Sequence, residues 1–310
     1  MKIGIIGSGN VGITTAFAIA EKSSGHVLLW DRTPGRATGK ALDLAEASPI
    51  RRYDTRIEGT DKFEDLLDAR VLVIAAGAAR KAGMSRVDLI DDNRPFIREI
   101  ARTIKDGHKG AEPPVVIMMT EPVDVMTLAF QQCTEWPRER LFGVGGILTA
   151  TRLRYFAARE LGLSASDIDA TVVGTHNDDE VILERYCRVS GLPFSQFMER
   201  EQIDAIFEKA LHAGTEIVEA AKVGSSFYTP GAAVGSLVRA VTRDVNRVLL
   251  ASVVLDGEYG VNGRAVSVPA KIGASGIKQI YELALNDEER AAFLRSVESQ
   301  DPYINRLECA

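Results

Sequence analysis

The stretch KIGIIGSGNVGITTAFAIAEKSSGHVLLWD, residues 2–31, decides how the rest of the chain is read. An apolar run at residues 3–6 turns at Gly7-Ser8-Gly9-Asn10-Val11-Gly12. Helical spacing follows over 11–20, and a second apolar run occupies 26–30. Strand, glycine turn, helix and strand open a dinucleotide-binding unit. Gly7 serves the tight turn, Gly9 lets backbone approach a pyrophosphate, and Gly12 permits close helix–strand packing. Asn10 stands at the head of the helix, whose unpaired N–H groups and positive end attract phosphate. A GxGxxG alone is weak, because glycine turns are common. The acid that the motif demands is also present: Asp31 lies just past the second strand, about 20 residues after Gly12. Its carboxylate accepts from ribose hydroxyls and repels a 2′-phosphate, so NAD is the expected cofactor. Arg32 next to it is the residue type that accommodates a 2′-phosphate.

Working outward, GKALDLAEA (39–47) reads as a helix and RVLVIAAG (70–77) as a continuous buried strand. A long helix covers about 86–106, and VVIMMT (115–120) is another buried strand closed by Pro122. Continuous β-branched runs alternating with helices predict a parallel sheet covered on both faces. After LFGVGG (141–146) the texture changes. An amphipathic helix at about 149–162 precedes TVVGTH (171–176) and a strand-rich stretch at 181–191. Helices follow near 202–221 and 234–247, then antiparallel strands within 247–260 and 264–273. The expected architecture is α/β: a Rossmann doubly wound parallel sheet over 1–145, followed by an α+β substrate domain over 146–310. The active site is expected between them.

Composition agrees with a globular chain of two ordinary domains: 310 residues, 45% hydrophobic and 26% charged. With 37 basic against 43 acidic residues, the net charge of −6 gives no global reason to seek nucleic acid or an anionic membrane. No apolar run is long enough to span a bilayer, and the N-terminus reads as a buried strand rather than a signal peptide. Cys133, Cys187 and Cys309 lie far apart, with no metal-ligand spacing, and are read as reduced thiols in a cytoplasmic protein.

The residues suited to chemistry lie elsewhere. Arg80, Lys81 and Arg86 flank Gly83 in a loop after a strand, which suits a mobile lid presenting guanidinium groups to an anion. Arg152 lies in the first turn of the long helix, and His176 follows the strand TVVGT. With GSGNVG, GKALDLAEA, RKAGMSR, EPVDVMT, LTATR, VVGTHND, SSFYTPGAA and VLLASVVLDGEYG in order along nearly the whole chain, the sequence resembles the lactate/malate dehydrogenase family. The resemblance implies hydride transfer between NAD and a 2-hydroxy acid. It assigns His176 as the acid/base, Arg86 as the loop arginine that polarises the carbonyl, and Arg152 as the clamp on the C1 carboxylate. Arg80 matches the specificity position, where an arginine implies a second substrate carboxylate and therefore (S)-malate and oxaloacetate, the malate dehydrogenase reaction of the tricarboxylic acid cycle. Asn93 and Thr120 match positions that contact the cofactor, and Pro230 one that packs against the nicotinamide. Homodimers or homotetramers are implied, with the apolar helix at 11–20 and the long helices of the second half as candidate surfaces.

Three departures fall in the site itself. The family's aspartate beside the catalytic histidine is Thr149, the asparagine of its NPVD is Glu121, and the glycine of its HGD is Asn177. A hydroxyl orients an imidazole weakly and does not stabilise its cation. Losing the equivalent aspartate of a serine-protease triad costs about 10⁴ in rate. Glu121, placed with the substrate-binding residues, would also oppose an anionic substrate. Either Glu121 supplies the carboxylate that Thr149 lacks, or the chemistry is impaired. The alternatives are a non-catalytic NAD-binding paralogue and a reductase of a different 2-keto acid.

Overall fold

A computed structural model describes residues 1–22, 25–78, 86–222, 226–304 and 307, with backbone alone at 86–88. The first part runs β1 (Lys2–Ile6), α1 (Asn10–Ala20), β2 (His26–Trp30), α2 (Arg36–Glu46), a single-turn α3 (Ser48–Arg51), β3 (Ile57–Thr60) and β4 (Val71–Ile74). It continues with α4 (Arg86–Gly107), β5 (Val115–Met118), α5 (Val123–Thr134) and β6 (Leu141–Gly143). These six strands are parallel and lie in the order β3-β2-β1-β4-β5-β6. The order reverses direction between β1 and β4, the switch point outside whose carboxyl ends such sheets bind ligands. Burial follows the two-residue period of a strand. Ile3, Ile5, Val27, Leu29, Val71 and Val73 face one hydrophobic layer. Ile6, Leu28, Leu72, Ile74, Val116 and Met118 face the other. Both faces are covered, which is why these strands read as unbroken apolar runs.

The second part holds α6 (Ile147–Leu161), five two-residue strands and the helices α7 (Arg200–Ala221) and α8 (Tyr228–Thr242). The short strands are β7 (Ile168–Asp169), β8 (Val172–Val173), β9 (Val181–Ile182), β10 (Arg188–Val189) and β11 (Leu192–Pro193). The long antiparallel strands β12 (Arg247–Asp256) and β13 (Asn262–Gly273) follow, then β14 (Gly276–Ile280), α9 (Asp287–Glu298) and α10 (Asp301–Ile304). β12 pairs antiparallel with β6 through Ser252 and Gly143, so β12, β13 and β14 extend the parallel sheet to nine strands.

Several sequence expectations are corrected. The helix expected at 234–247 spans Tyr228–Thr242: Pro230 and Gly231 open it, because a proline in the first turn forfeits no intrahelical hydrogen bond. The stretch 181–191 is two residue pairs of strand around a 3₁₀ turn at Glu184–Tyr186. Helix α6 begins at Ile147, which puts Arg152 in its second turn. In α1, Val11, Ile13 and Phe17 pack against the core and Asn10 is its one exposed residue. Cys133 and Cys187 are free thiols, as read, and Cys309 lies outside the described residues. No described helix is long and apolar enough to cross a membrane.

Candidate active site

The glycine turn between β1 and α1 is built on two hard steric requirements. Gly7 takes φ +101°, where L side chains are strained, and a Cβ on Gly12 would lie 1.8 Å from the Gly7 carbonyl oxygen. Gly9 differs: a Cβ there would meet no atom within 4 Å, so its backbone lies open to a cavity of about 810 Å³. Gly7, Gly9, Asn10 and Asp31 line that cavity, together with Asn93, Thr120, Glu121, Arg152, His176 and Pro230. The open glycine backbone at a helix N-terminus, with a carboxylate beyond the second strand, fits a dinucleotide.

Asn93 and Thr120 are buried and tie the walls together. Asn93 Oδ1 accepts from Ala78 N (2.7 Å) and its Nδ2 donates to the Glu121 carbonyl (2.7 Å), joining the loops after β4 and β5. Thr120 Oγ1 donates to the Ala76 carbonyl (2.7 Å). Asp31 accepts from Ser8 N (2.8 Å), Ser8 Oγ (2.7 Å) and Thr33 N (3.0 Å).

The chemistry-bearing residues of the second part are set in place by β13 and α9. Ser267 pairs with Gly174 through both backbone hydrogen bonds, and its hydroxyl accepts from Gly146 N at the head of α6 (2.8 Å). Thr175 is clamped by Ser296 of α9, its N donating to the hydroxyl (2.9 Å) and its own hydroxyl to the carbonyl (2.6 Å). The turn that carries His176 is thereby fixed against α6. Thr149 and Arg152, three residues apart, share one face of that helix.

His176 stands among three carboxylates. Its backbone N donates to Asp124 Oδ2 (2.6 Å), and Asp124 is buried and also accepts from the Ser252 hydroxyl. Ring Nδ1 lies 3.0 Å from Glu180 Oε1, and the other Glu180 oxygen accepts from Thr149 Oγ1. Ring Nε2 lies 3.5 Å from Glu121 Oε1, while Glu121 Oε2 accepts from Val123 N (3.2 Å). Burial works against a charged imidazole here. The charges of Glu180 and Glu121, with the Glu180 hydrogen bond, outweigh it and raise the His176 pKa to about 9. Burial likewise pushes the Asp124 carboxyl up to about 6, against the hydrogen bond from Ser252 and the charge of His176.

The expectation that Glu121 replaces the missing aspartate is therefore corrected. The carboxylate on Nδ1 is Glu180, whose side chain is 3% exposed, and Thr149 is its hydrogen-bond donor. Glu121 lies across the ring, at the nitrogen that faces the cavity. Sequence reasoning missed Glu180. The signal available was an acid four residues after His176, directly before the apolar run VIL; the pairing of Val173 with Val181 folds that acid back beside the ring.

Arg152 is the half-buried cation of the site. Its Nη2 lies 3.5 Å from Ser226 Oγ, and its Nε is buried without an acceptor among the described residues. Burial lowers its pKa against the fields of Glu180 and Glu121, yet an arginine stays charged at any physiological pH. A half-buried guanidinium with an unused donor calls for an anion in the cavity. Of the other assigned arginines, Arg80 lies outside the described residues, and Arg86 begins α4 with its side chain likewise outside them.

Residues 1–143 match the family model for the lactate/malate dehydrogenase NAD binding domain, and residues 147–305 that for the family's alpha/beta C-terminal domain. The chain is 42% identical over 308 residues to a malate dehydrogenase of Methanosarcina mazei, covering 99% of both chains. It is 41% identical over 300 residues to that of Bacillus subtilis, covering 96% of this chain and 95% of the relative. Among solved structures it resembles the apo malate dehydrogenase of Picrophilus torridus (TM-score 0.93, 36% identity, 99% and 97% of the two chains). It also resembles a lactate dehydrogenase of Cryptosporidium parvum complexed with lactic acid and nicotinamide adenine dinucleotide (TM-score 0.94, 30% identity, 100% and 98%). The chain belongs to the lactate/malate dehydrogenase family. It is an NAD-dependent dehydrogenase.

Proposed function

We propose that the chain interconverts (S)-malate and oxaloacetate, and that the site is active. The observation that carries this reading is the half-buried Arg152, with a buried Nε that has no acceptor among the described residues, in the same cavity as His176. The malate dehydrogenases among its relatives support the choice of dicarboxylate. So does Arg80, since a second guanidinium favours a second carboxylate by about 1.5–3 kcal/mol.

The glycine turn and Asp31 would hold NAD, which would supply or take the hydride. Arg152 binds the C1 carboxylate, Arg80 the distal carboxylate, and Arg86 polarises the carbonyl. In reduction, His176 gives the proton on Nε2 to the developing alkoxide and becomes neutral. Glu180 remains ionised, holds the proton on Nδ1, and so leaves Nε2 as the nitrogen that exchanges a proton with substrate. Thr149 fixes the Glu180 carboxylate. Glu121 stabilises the imidazolium before substrate binds and yields Nε2 to the substrate oxygen. One reason to expect impairment was the lack of a carboxylate on Nδ1, and Glu180 removes that one. On this reading the substrate domain begins near residue 146, and the enzyme works in the cytoplasm as a homodimer or homotetramer.

The test is NADH oxidation by the purified chain against oxaloacetate, pyruvate, 2-oxoglutarate and a bulky neutral keto acid. The reading predicts oxaloacetate preferred over pyruvate by tenfold to hundredfold in kcat/KM, the equivalent of that pairing energy. Tight NADH binding without turnover of any acid would return the chain to a non-catalytic binder. Preference for another acid of the panel would reassign the substrate.

A further inference from the structure

The adenosine end of the cavity departs from a site built for a plain ribose. A carboxylate has about four acceptor positions. Asp31 gives three of them to its own chain: Oδ2 to the N–H and the hydroxyl of Ser8, and Oδ1 to Thr33 N. One acceptor position remains for a ribose hydroxyl. The acid is also covered, its side chain 11% exposed, whereas the Arg36 guanidinium 3.8 Å from Oδ1 is 47% exposed.

Two arginines line this end of the cavity, and a lysine lies behind the glycine turn. Arg36 and Arg32 line the cavity, and the Arg32 guanidinium carbon lies 5.8 Å from the centroid of the Phe96 ring, which lines it as well. Lys40 Nζ donates to the Ser8 carbonyl (2.7 Å) behind the glycine turn. Asp61 accepts from Gly35 N at the head of α2 (2.8 Å). Burial first, and then the field of Arg36, lower the Lys40 pKa, so these cations crowd one another and an added anion would relieve them. Guanidinium groups match the oxygens of a phosphate by paired N–H donors.

We propose that this end of the cavity takes a 2′-phosphate, so that the chain binds NADP(H) as well as NAD(H), with Arg36 and Arg32 holding the phosphate. The inference rests on the dinucleotide reading of the cavity and extends it to a second cofactor. Asp31 stays ionised, and its charge is engaged by Ser8, Thr33 and Arg36; Arg32 and Arg36 line the cavity with it, as does Asp92.

Two probes that differ by the phosphate alone test the point without any turnover. Isothermal titration of the full chain with 5′-AMP and with 2′,5′-ADP compares their affinities directly. NADH and NADPH fluorescence titrations on the same sample give the order for the whole cofactor. The proposal predicts that 2′,5′-ADP binds at least as tightly as 5′-AMP and that raised salt narrows the difference. Substituting both Arg32→Ala and Arg36→Ala should weaken 2′,5′-ADP and NADPH by roughly tenfold or more relative to their unphosphorylated counterparts. Weaker binding of 2′,5′-ADP than of 5′-AMP overturns the proposal. So does an affinity ratio that the double substitution leaves unchanged. If neither probe binds, it falls together with the dinucleotide reading of the cavity, and the failure of 5′-AMP identifies that reading as the fault.

Discussion

Glu180 makes the sharpest claim at the scale of single residues, because its carboxylate meets the His176 ring where the family resemblance expects the residue at Thr149 to do so. Thr149 donates to one oxygen of Glu180 and His176 meets the other, so Thr149 supports the acid that meets the ring. Glu180→Gln keeps the shape and removes the charge. It should lower kcat by about 10²–10⁴, the contribution typical of a placed acid–base group. It should also draw the His176 pKa down toward its ordinary value, and both effects appear in kcat measured across pH. A purely structural role would lower stability without moving the pH midpoint. Restoring a carboxylate by Thr149→Asp in the Glu180→Gln background should recover part of the rate. Glu121→Gln should move the midpoint less, since Glu121 lacks the Nδ1 hydrogen bond. From sequence alone, His176 and Arg152 were legible as candidates. The choice between Glu121 and Glu180 was not, because the register of β8 against β9 decides which acid returns to the ring.

Among elements, the parallel strands were readable because burial on both faces leaves an unbroken apolar run. The missed ones have specific reasons. β3 is Ile57-Glu58-Gly59-Thr60, a half-covered edge strand whose Gly59 is demanded by the backbone of Ala37, 2.4 Å from where a Cβ would sit. α5 is buried nearly all round, so no polar face marks its helical period. Residues 276–280 add an edge strand, and α9 begins at an Asn286–Glu289 capping box that sequence reading passed over. The junction of β1 and α1 tolerates the least change. Gly12→Ala would drive a methyl group into the Gly7 carbonyl. We expect NADH affinity to fall at least tenfold in a fluorescence titration while the far-UV dichroism of the sheet persists. Unchanged affinity would show that the turn does not set the cofactor site.

For the molecule as a whole, the continuous nine-stranded sheet is what makes two sequence-distant halves into one site. β13 carries Ser267, which locks both the head of α6 and the strand before His176, while the parallel half brings Asn93, Thr120 and Glu121 to the same cavity. The texture of the two halves was legible in the sequence. Their joining through β6 and β12 was not, because one residue pair makes it. The net charge of −6 says little about this cavity, where Arg152 stands on one wall and Arg32 and Arg36 on another. The account holds that His176, set between Glu180 and Glu121, remains protonated at neutral pH and delivers its proton to a keto acid. The sign follows directly: reduction needs the imidazolium, so it runs fully below the raised pKa and fails above it, while alcohol oxidation does the reverse. The most direct measurement is the pH dependence of kcat/KM for oxaloacetate reduction by the wild-type chain with NADH. The account predicts a plateau through neutrality that falls at about pH 9. A fall centred near the ordinary histidine value of about 6.5, or no turnover at any pH, would contradict it.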